Sequence, residues 1–124
     1  MVKYNIGYDI DLNNGLVANV YTHTGGSLSI TPDGDGAHYY YIAVDTSSST
    51  STINLPTTSN NGCEVGRTYC IIDYKGNSAT NNITIDAGSG NTINGNQTVT
   101  VALNNASLHI ICTQTSGSII WNFV

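Results

Sequence analysis

Between residue 37 and the end of the chain, four carboxylates have the chemistry for general acid or base catalysis. They are Asp45, Glu64, Asp73 and Asp86, and the sequence pattern puts each of them at a strand end or a turn. A glycosidase needs two carboxylates facing each other across a cleft, and a nucleophilic enzyme needs a base and an orienting group beside the nucleophile. The spacing of these residues brings no such set together. The sequence therefore predicts a protein that is not an enzyme.

Histidine and cysteine are the residues that could hold a metal ion, and neither has the spacing for it. His23, His38 and His109 lie far apart in the sequence and form no His-x-His pair. The cysteines are Cys63, Cys70 and Cys112, an odd number without Cys-x-x-Cys spacing. This pattern fits neither a zinc site nor a disulfide framework. We expect no metal and no cofactor, and we interpret the cysteines as buried thiols made in a reducing cytosol.

Aromatic residues offer a different chemistry, namely binding, and eight tyrosines stand against one phenylalanine. Tyrosine combines a large apolar ring with a polar tip, which suits both carbohydrate platforms and protein interfaces. Tyr74 lies at a predicted loop beside Lys75 and Asn77, and we predict these three as the binding residues, since loops on a rigid frame usually carry function. The run 39–41 is interpreted as a subunit interface or a half-buried edge, and Trp121 as a core or interface residue.

The composition limits which elements can position these residues. Ser, Thr, Asn and Gly make 57 of the 124 residues, and β-branched residues far outnumber the strong helix formers, so a helical bundle is excluded. Three cationic residues against eight acidic ones give a net charge of -5, which excludes nucleic-acid binding by phosphate neutralisation and disfavours an anionic membrane surface. No apolar run is long enough to span a membrane.

Short strand-like runs recur along the chain, and each is closed by a cluster of Gly, Asn, Asp or Ser. Their spacing predicts an all-β fold, namely an antiparallel β-sandwich or barrel. The predicted strands cover residues 15–22, 27–31, 38–44, 51–55, 68–74, 82–86, 98–103, 107–113 and 118–124.

Three of these strands carry consecutive apolar residues instead of an alternating pattern. The runs are Ile71-Ile72, Ile110-Ile111-Cys112 and Ile119-Ile120-Trp121. Both faces of such strands need cover, and one sandwich of this size covers only one face of each sheet. We therefore expect a second copy of the chain on the other face. A parallel sheet with covering helices is the other solution, and the composition argues against helices.

The beginning of the chain has a looser pattern than the rest, and we place a soft boundary near Gly36. Residues 1–36 are interpreted as an N-terminal strand segment, and residues 37–124 as the main domain. The first residues lack the basic and apolar regions of a signal peptide, so we expect a chain made in the cytoplasm without one.

From Tyr40 to its end the sequence resembles a β-sandwich head module found at the C-terminal tips of viral and phage fibres and tail appendages. Each matching segment is short, and their order and spacing carry the resemblance. In order, the segments are Tyr41-Ile42-Ala43-Val44-Asp45-Thr46, Ile53-Asn54-Leu55-Pro56, Gly66-Arg67-Thr68-Tyr69-Cys70-Ile71-Ile72-Asp73, Gly76-Asn77-Ser78-Ala79-Thr80-Asn81-Asn82-Ile83-Thr84-Ile85, Thr92-Ile93-Asn94-Gly95 and a last strand around Trp121.

This resemblance implies a jelly-roll-like, homotrimeric fibre head on the virion surface. It makes residues 37–124 the β-sandwich head and residues 1–36 either the end of a shaft or the base of the head. Its implied function is non-catalytic attachment to a host-cell receptor, either a glycan or a surface protein. A structural virion decoration that binds another viral protein is the alternative, and a polysaccharide-processing tip is a third reading. The loop before Gly66 is longer than usual and 114–118 lacks the common Asp-Gly, so the resemblance does not define the receptor.

Overall fold

Strands and turns account for the parts of the chain that the computed structural model describes, which are residues 8–11, 15–31, 39–58 and 63–124, and these parts contain no helix. The predicted all-β fold is confirmed. Each of the nine predicted strand segments overlaps at least one strand, and the segment 15–22 overlaps two. The strands are β1 (Tyr8–Asp11), β2 (Gly15–Ala18), β3 (Val20–Thr24), β4 (Gly26–Ser29), β5 (Tyr41–Asp45), β6 (Ser51–Asn54), β7 (Thr68–Asp73), β8 (Ile83–Asp86), β9 (Thr92–Ile93), β10 (Thr98–Val101), β11 (Ser107–Gln114) and β12 (Ile120–Phe123).

Ten of these strands form two sheets, while β1 and β2 pair with each other as a separate hairpin. The larger sheet has the order β3-β5-β7-β11-β12-β9, and the smaller one has the order β10-β8-β6-β4. Within the larger sheet β3, β5 and β7 are parallel, and within the smaller sheet β4, β6 and β8 are parallel. From β3 to β11, successive strands thus alternate between the two sheets.

This alternation creates three stacked coils, β3–β4, β5–β6 and β7–β8, in a solenoid-like arrangement. The register shows the stacking directly, because Leu28, Ile53 and Ile85 lie side by side on β4, β6 and β8. Parallel strands need a long crossover connection, which is a helix in most proteins. Here the connection is a strand of the other sheet, so parallel pairing arises without helices. The sequence analysis considered parallel strands only together with covering helices, so it did not predict this arrangement.

Antiparallel strands close the last coil, as the sequence led us to expect for the whole fold. β10 pairs with β8, and β11 lies between β7 and β12. A bulge between Cys112 and Gln114 interrupts the pairing of β11 with β12. The short β9 runs parallel to β12 and forms one edge of the larger sheet. The antiparallel prediction therefore holds for the closing strands and does not describe the three coils.

Both sheets contribute to one hydrophobic core. Trp121 is fully buried, as one of the two readings of the sequence predicts, and its ring centroid lies 5.7 Å from that of Tyr69. Burying a large aliphatic side chain stabilises a fold by about 1.5–3 kcal/mol. Burial of the core side chains is therefore the main source of stability for the coils. The fully buried members of this core are Ile42, Val44, Ile53, Cys63, Tyr69, Ile71, Ile83, Ile85, Ala87, Ile93, Ile110 and Trp121.

The consecutive isoleucines divide between the two faces of the larger sheet. Ile71 and Ile110 are fully buried in the core, whereas Ile72 and Ile111 are half-buried on the opposite side. The prediction that both faces of these strands are apolar is confirmed. We call this opposite side the outer face, and its apolar members are Tyr41, Ala43, Cys70, Ile72, Ile111 and Ile120.

The predicted boundary near Gly36 lies outside the described residues. Strands from both sides of it belong to the same sheets, since β3 pairs with β5 and β4 pairs with β6. Leu28 and Ile30 are buried in the common core. Residues 20–30 are thus part of the same packing unit as the strands that follow residue 39.

Candidate functional site

The three coils turn from the larger to the smaller sheet at one common edge. We call this edge the corner ridge, and it consists of Gly25 and residues 46–50 and 74–82. Backbone hydrogen bonds join the first two corners, with Gly25 N donating to Asp45 O at 2.9 Å and Gly26 N to Thr50 O at 2.9 Å. Side-chain amides join the second corner to the third.

Asparagine makes the contacts between the second and third corners. The Nδ2 group of Asn77 donates to Ser47 Oγ at 3.4 Å, and that of Asn81 donates to the carbonyl oxygen of Thr46 at 2.8 Å. These amide side chains link the corners of neighbouring coils, just as strand pairing links the coils within the sheets. The ridge is a continuous polar surface of hydroxyl and amide groups.

The three residues predicted to contact a receptor all lie in the third corner, directly after β7. The side chain of Tyr74 is 42% exposed, and the Nζ of Lys75 lies 5.3 Å from the centroid of its ring. Asn77 is half-buried, and its Nδ2 donates to the carbonyl oxygen of Lys75 at 3.1 Å. An exposed aromatic ring and an ammonium group are therefore placed side by side on the ridge.

Asp73, at the end of β7, holds this corner in shape. Its Oδ1 accepts hydrogen bonds from the N–H groups of Gly76 at 3.0 Å and Asn77 at 3.3 Å. Its Oδ2 accepts them from Ser78 at 3.0 Å and Asn105 at 3.0 Å. The sequence pattern predicted that Asp73, Gly76 and Asn77 shape the return, and these bonds confirm it.

The surroundings of Asp73 also affect its titration. Burial of the carboxylate raises its pKa, but the hydrogen bonds from Ser78, Asn105 and Asn77 outweigh this and hold the pKa below its usual value. The group is therefore ionised under all but strongly acidic conditions. Its negative charge is compensated by N–H donors rather than by a cation.

A second clamp fixes the third corner to the turn between β10 and β11. Ser78 Oγ donates to the carbonyl oxygen of Leu103 at 2.7 Å, and Ala79 N donates to Asn104 Oδ1 at 2.8 Å. Gly76 has φ +73°, and a Cβ atom at this position would lie 2.7 Å from the Oδ1 of Asn105. The sequence analysis missed this clamp because its partners are separated by 25 or more residues.

Asp45 supports the second corner beside this site. Its carboxylate accepts hydrogen bonds from the hydroxyl and the N–H group of Ser47. These bonds, with a smaller contribution from the nearby Lys75 ammonium, hold the pKa of Asp45 below its usual value. The sequence carried a usable signal that we did not exploit, because Asp followed two residues later by Ser is typical of an Asx turn.

The remaining two carboxylates predicted at turns also have local structural partners. Asp86 accepts a hydrogen bond from the N–H group of Gly88 at 2.8 Å, and Glu64 forms an ion pair with Arg67. All four candidate carboxylates thus shape turns or pair locally.

The histidines that the structure describes are hydrogen-bonded. His23 Nε2 lies 3.2 Å from the carbonyl oxygen of Gly26, and His109 Nδ1 lies 3.2 Å from the hydroxyl of Tyr40. His38 lies outside the described residues. Within the described ranges, no group of three or more His, Cys, Asp or Glu side chains could hold a metal ion.

The tyrosines of the run 39–41 are half-buried, and their arrangement differs from strict alternation. Tyr39 packs against Tyr21 with ring centroids 5.4 Å apart, whereas Tyr40 packs against Tyr41 at 4.5 Å. Tyr39 and Tyr40 precede β5, so the alternation of a strand does not apply to them. The Tyr40 ring also lies 6.0 Å from that of His109, which places it over the outer face.

Comparison with known proteins adds no family assignment. A scan against protein-family models finds no match to this chain, and a search of curated proteins finds no relative. In the described part of the chain, no helix has the length and apolar character needed to cross a membrane. The function must therefore be argued from the site itself.

Proposed function

We propose that this chain is a homotrimeric, non-catalytic head of a viral fibre or spike that attaches the virion to a host-cell receptor through the corner ridge. The observation that carries the proposal is the third corner, where an exposed tyrosine and a lysine are held on a rigidly braced loop. Loops positioned by a rigid scaffold are the usual place for binding residues. The sequence resemblance to fibre heads supports the same conclusion.

The chemistry of the ridge suits a glycan or a polar protein surface. The Tyr74 ring offers an apolar plane with a polar tip, and the Lys75 ammonium offers a donor beside it. Neutral hydroxyl and amide groups of Ser47 and Asn77 surround them. Because Asp73 and Asn105 fix the corner, binding here orders few side chains, which keeps its entropic cost low.

The proposal of a trimer is supported by the outer face. Tyr41, Ile72, Ile111 and Ile120 remain half-buried on this face, so part of their apolar surface meets water in the single chain. Contact between copies would remove this apolar surface from water. The same face also suits another viral protein, which keeps the structural decoration as the alternative function.

The absence of catalytic activity is proposed because the four carboxylates already serve as local hydrogen-bond acceptors or ion-pair partners. Asp73 and Asp45 shape corners, Asp86 shapes the turn after β8, and Glu64 pairs with Arg67. A general acid needs a raised pKa, whereas the pKa values of Asp45 and Asp73 are lowered.

The test of attachment is binding of the purified head to glycan arrays and to intact host cells. We expect Tyr74→Ala to weaken binding about tenfold or more, because aromatic anchors dominate binding energies, and Lys75→Ala to weaken it less. Val65→Ala is the matched control, since Val65 is 64% exposed and lies outside the ridge. If the wild-type head binds neither arrays nor cells and binds virion proteins instead, the structural alternative replaces the proposal.

The test of the trimer is the mass in solution by light scattering. We expect three times the 13.1 kDa of one chain. Ile111→Lys on the outer face is expected to yield the single-chain mass, whereas Thr100→Lys, at an exposed position of β10 in the smaller sheet, is expected to leave the assembly intact. A wild-type mass of 13.1 kDa would contradict the trimer.

A further inference from the structure

Two of the three cysteines come together in the core. Cys63 and Cys112 are 0% and 1% exposed and belong to the same hydrophobic cluster. Each thiol group contributes to the pKa of the other, so the two side chains lie within interaction range of each other. They are 49 positions apart in the sequence, so only the fold makes them neighbours.

Backbone hydrogen bonds bring the two cysteines together. Gly66 N donates to Cys112 O at 2.8 Å, and Cys112 N donates to Arg67 O at 2.8 Å. Arg67 N donates to Glu64 O at 2.9 Å, which turns the chain back toward Cys63. The segment 63–67 is thus fastened to β11 at Cys112, and Cys63 lies at its start.

Cys70 has a different position and is not part of this pair. It lies on β7 between the core residues Tyr69 and Ile71, so its side chain belongs to the outer face. Its cross-strand neighbours are Tyr41 and His109. The chain therefore contains one pair of adjacent thiols and a third thiol on the other side of the larger sheet.

We propose that Cys63 and Cys112 form an intramolecular disulfide when the protein meets a disulfide oxidant such as oxidised glutathione. One cysteine thiolate attacks the glutathione disulfide, forms a mixed disulfide and releases one glutathione thiolate. The second cysteine thiolate then attacks the protein sulfur of that mixed disulfide and releases the second glutathione. Two protein thiols lose two electrons and two protons, and one oxidised glutathione becomes two reduced ones.

The environment of the pair makes this reaction slow in the folded protein. Burial raises the pKa of Cys63 to about 12, with a further contribution from Cys112, and burial also raises the pKa of Cys112. Few thiolates are present at neutral pH, and the thiolate is the reactive form. A disulfide formed here would be equally protected from reduction, because the sulfurs lie inside the core.

The crosslink would act on stability and not on the corner ridge. It would close a chain segment of 50 residues and tie the connection between β6 and β7 to β11. Residues 63–67 of that connection lead into β7 at the end opposite the corner ridge. The inference is therefore independent of the proposed receptor binding, and either can fail without the other.

The positions of the three basic residues allow a direct test with trypsin. Cleavage after Lys3, Arg67 and Lys75 places each cysteine in its own fragment, namely 4–67, 68–75 and 76–124. The wild-type protein is incubated with oxidised glutathione at pH 8.5, unfolded, alkylated, and digested without reduction. We expect mass spectrometry to find 4–67 joined to 76–124, with Cys70 alkylated in 68–75.

Serine variants supply the controls. Cys70→Ser is expected to form the same crosslink, whereas Cys63→Ser and Cys112→Ser are expected to form none. Oxidised Cys70→Ser should melt higher than its reduced form by on the order of 10 °C, because a crosslink of this span restricts the unfolded chain. Free alkylated Cys63 and Cys112 after prolonged oxidation of the wild-type protein, a crosslink through Cys70, or no rise in melting temperature would overturn the proposal.

Discussion

Asp73 connects two parts of the chain that are far apart in sequence, because it accepts N–H groups from the third corner and from Asn105. We predict that Asp73→Asn destabilises the protein by about 2–4 kcal/mol, since the amide presents an N–H₂ group where N–H donors need an acceptor. The free energy of unfolding in urea measures this loss. Asp45→Asn is the control and should cost much less, because Asp45 serves only Ser47.

The titration of Asp73 gives a second prediction at this scale. Its folded pKa lies below the usual aspartate value of 3.8, so its contribution to stability is fully present above about pH 4 and is lost as the pH falls through the folded pKa. Unfolding experiments between pH 2 and 7 should show this decline. In Asp73→Asn the decline should be smaller, and an unchanged pH profile in the variant would contradict the role of Asp73.

Sequence reasoning reached some of these residues and missed others for a physical reason. The roles of Asp73, Gly76 and Asn77 were predictable because a carboxylate three or four residues before N–H groups forms a local turn. Asn105 was not predictable, because its contact depends on how β11 pairs with β7. The grouping of Tyr74 with Lys75 was predictable from adjacency alone.

At the scale of the elements, the positions of strands were predictable and their partners were not. Ile53 and Ile85 alternate with polar residues, and this pattern is the same for a parallel and an antiparallel strand with one buried face. The strand with which each strand pairs depends on the direction that the chain takes after each corner. The sequence contains no signal for this direction. It therefore predicts an antiparallel sandwich instead of stacked coils.

The third corner allows a prediction about backbone conformation and space. Gly76→Ala should destabilise the protein by about 2 kcal/mol or more, because φ is +73° and the new Cβ would meet Asn105. Gly90→Ala is a matched control with φ +82° and nothing within 4 Å, so it should show only the conformational cost of about 1 kcal/mol. Equal losses in urea denaturation would contradict the proposed close contact.

For the whole molecule, stacked coils predict a gradient of protection. Strands β5, β7 and β11 have neighbours on both sides in the larger sheet, whereas β4 and β10 are the outer strands of the smaller one. Amide hydrogen exchange should therefore be slowest in β5, β7 and β11 and faster in β4 and β10. Uniform exchange across both sheets would indicate a single cooperative unit without this gradient.

The corners grow longer along the stack, with one residue between β3 and β4, five between β5 and β6, and nine between β7 and β8. The corner ridge consequently lengthens from coil to coil, and its longest corner carries Tyr74 and Lys75. Because strand register is fixed inside the core, the length of a corner can change without moving the strands. A foreign peptide grafted between Ser48 and Ser49 would therefore lengthen the second corner and leave the bonds of Asp73 in the third corner in place, which makes this frame a carrier for variable sequences.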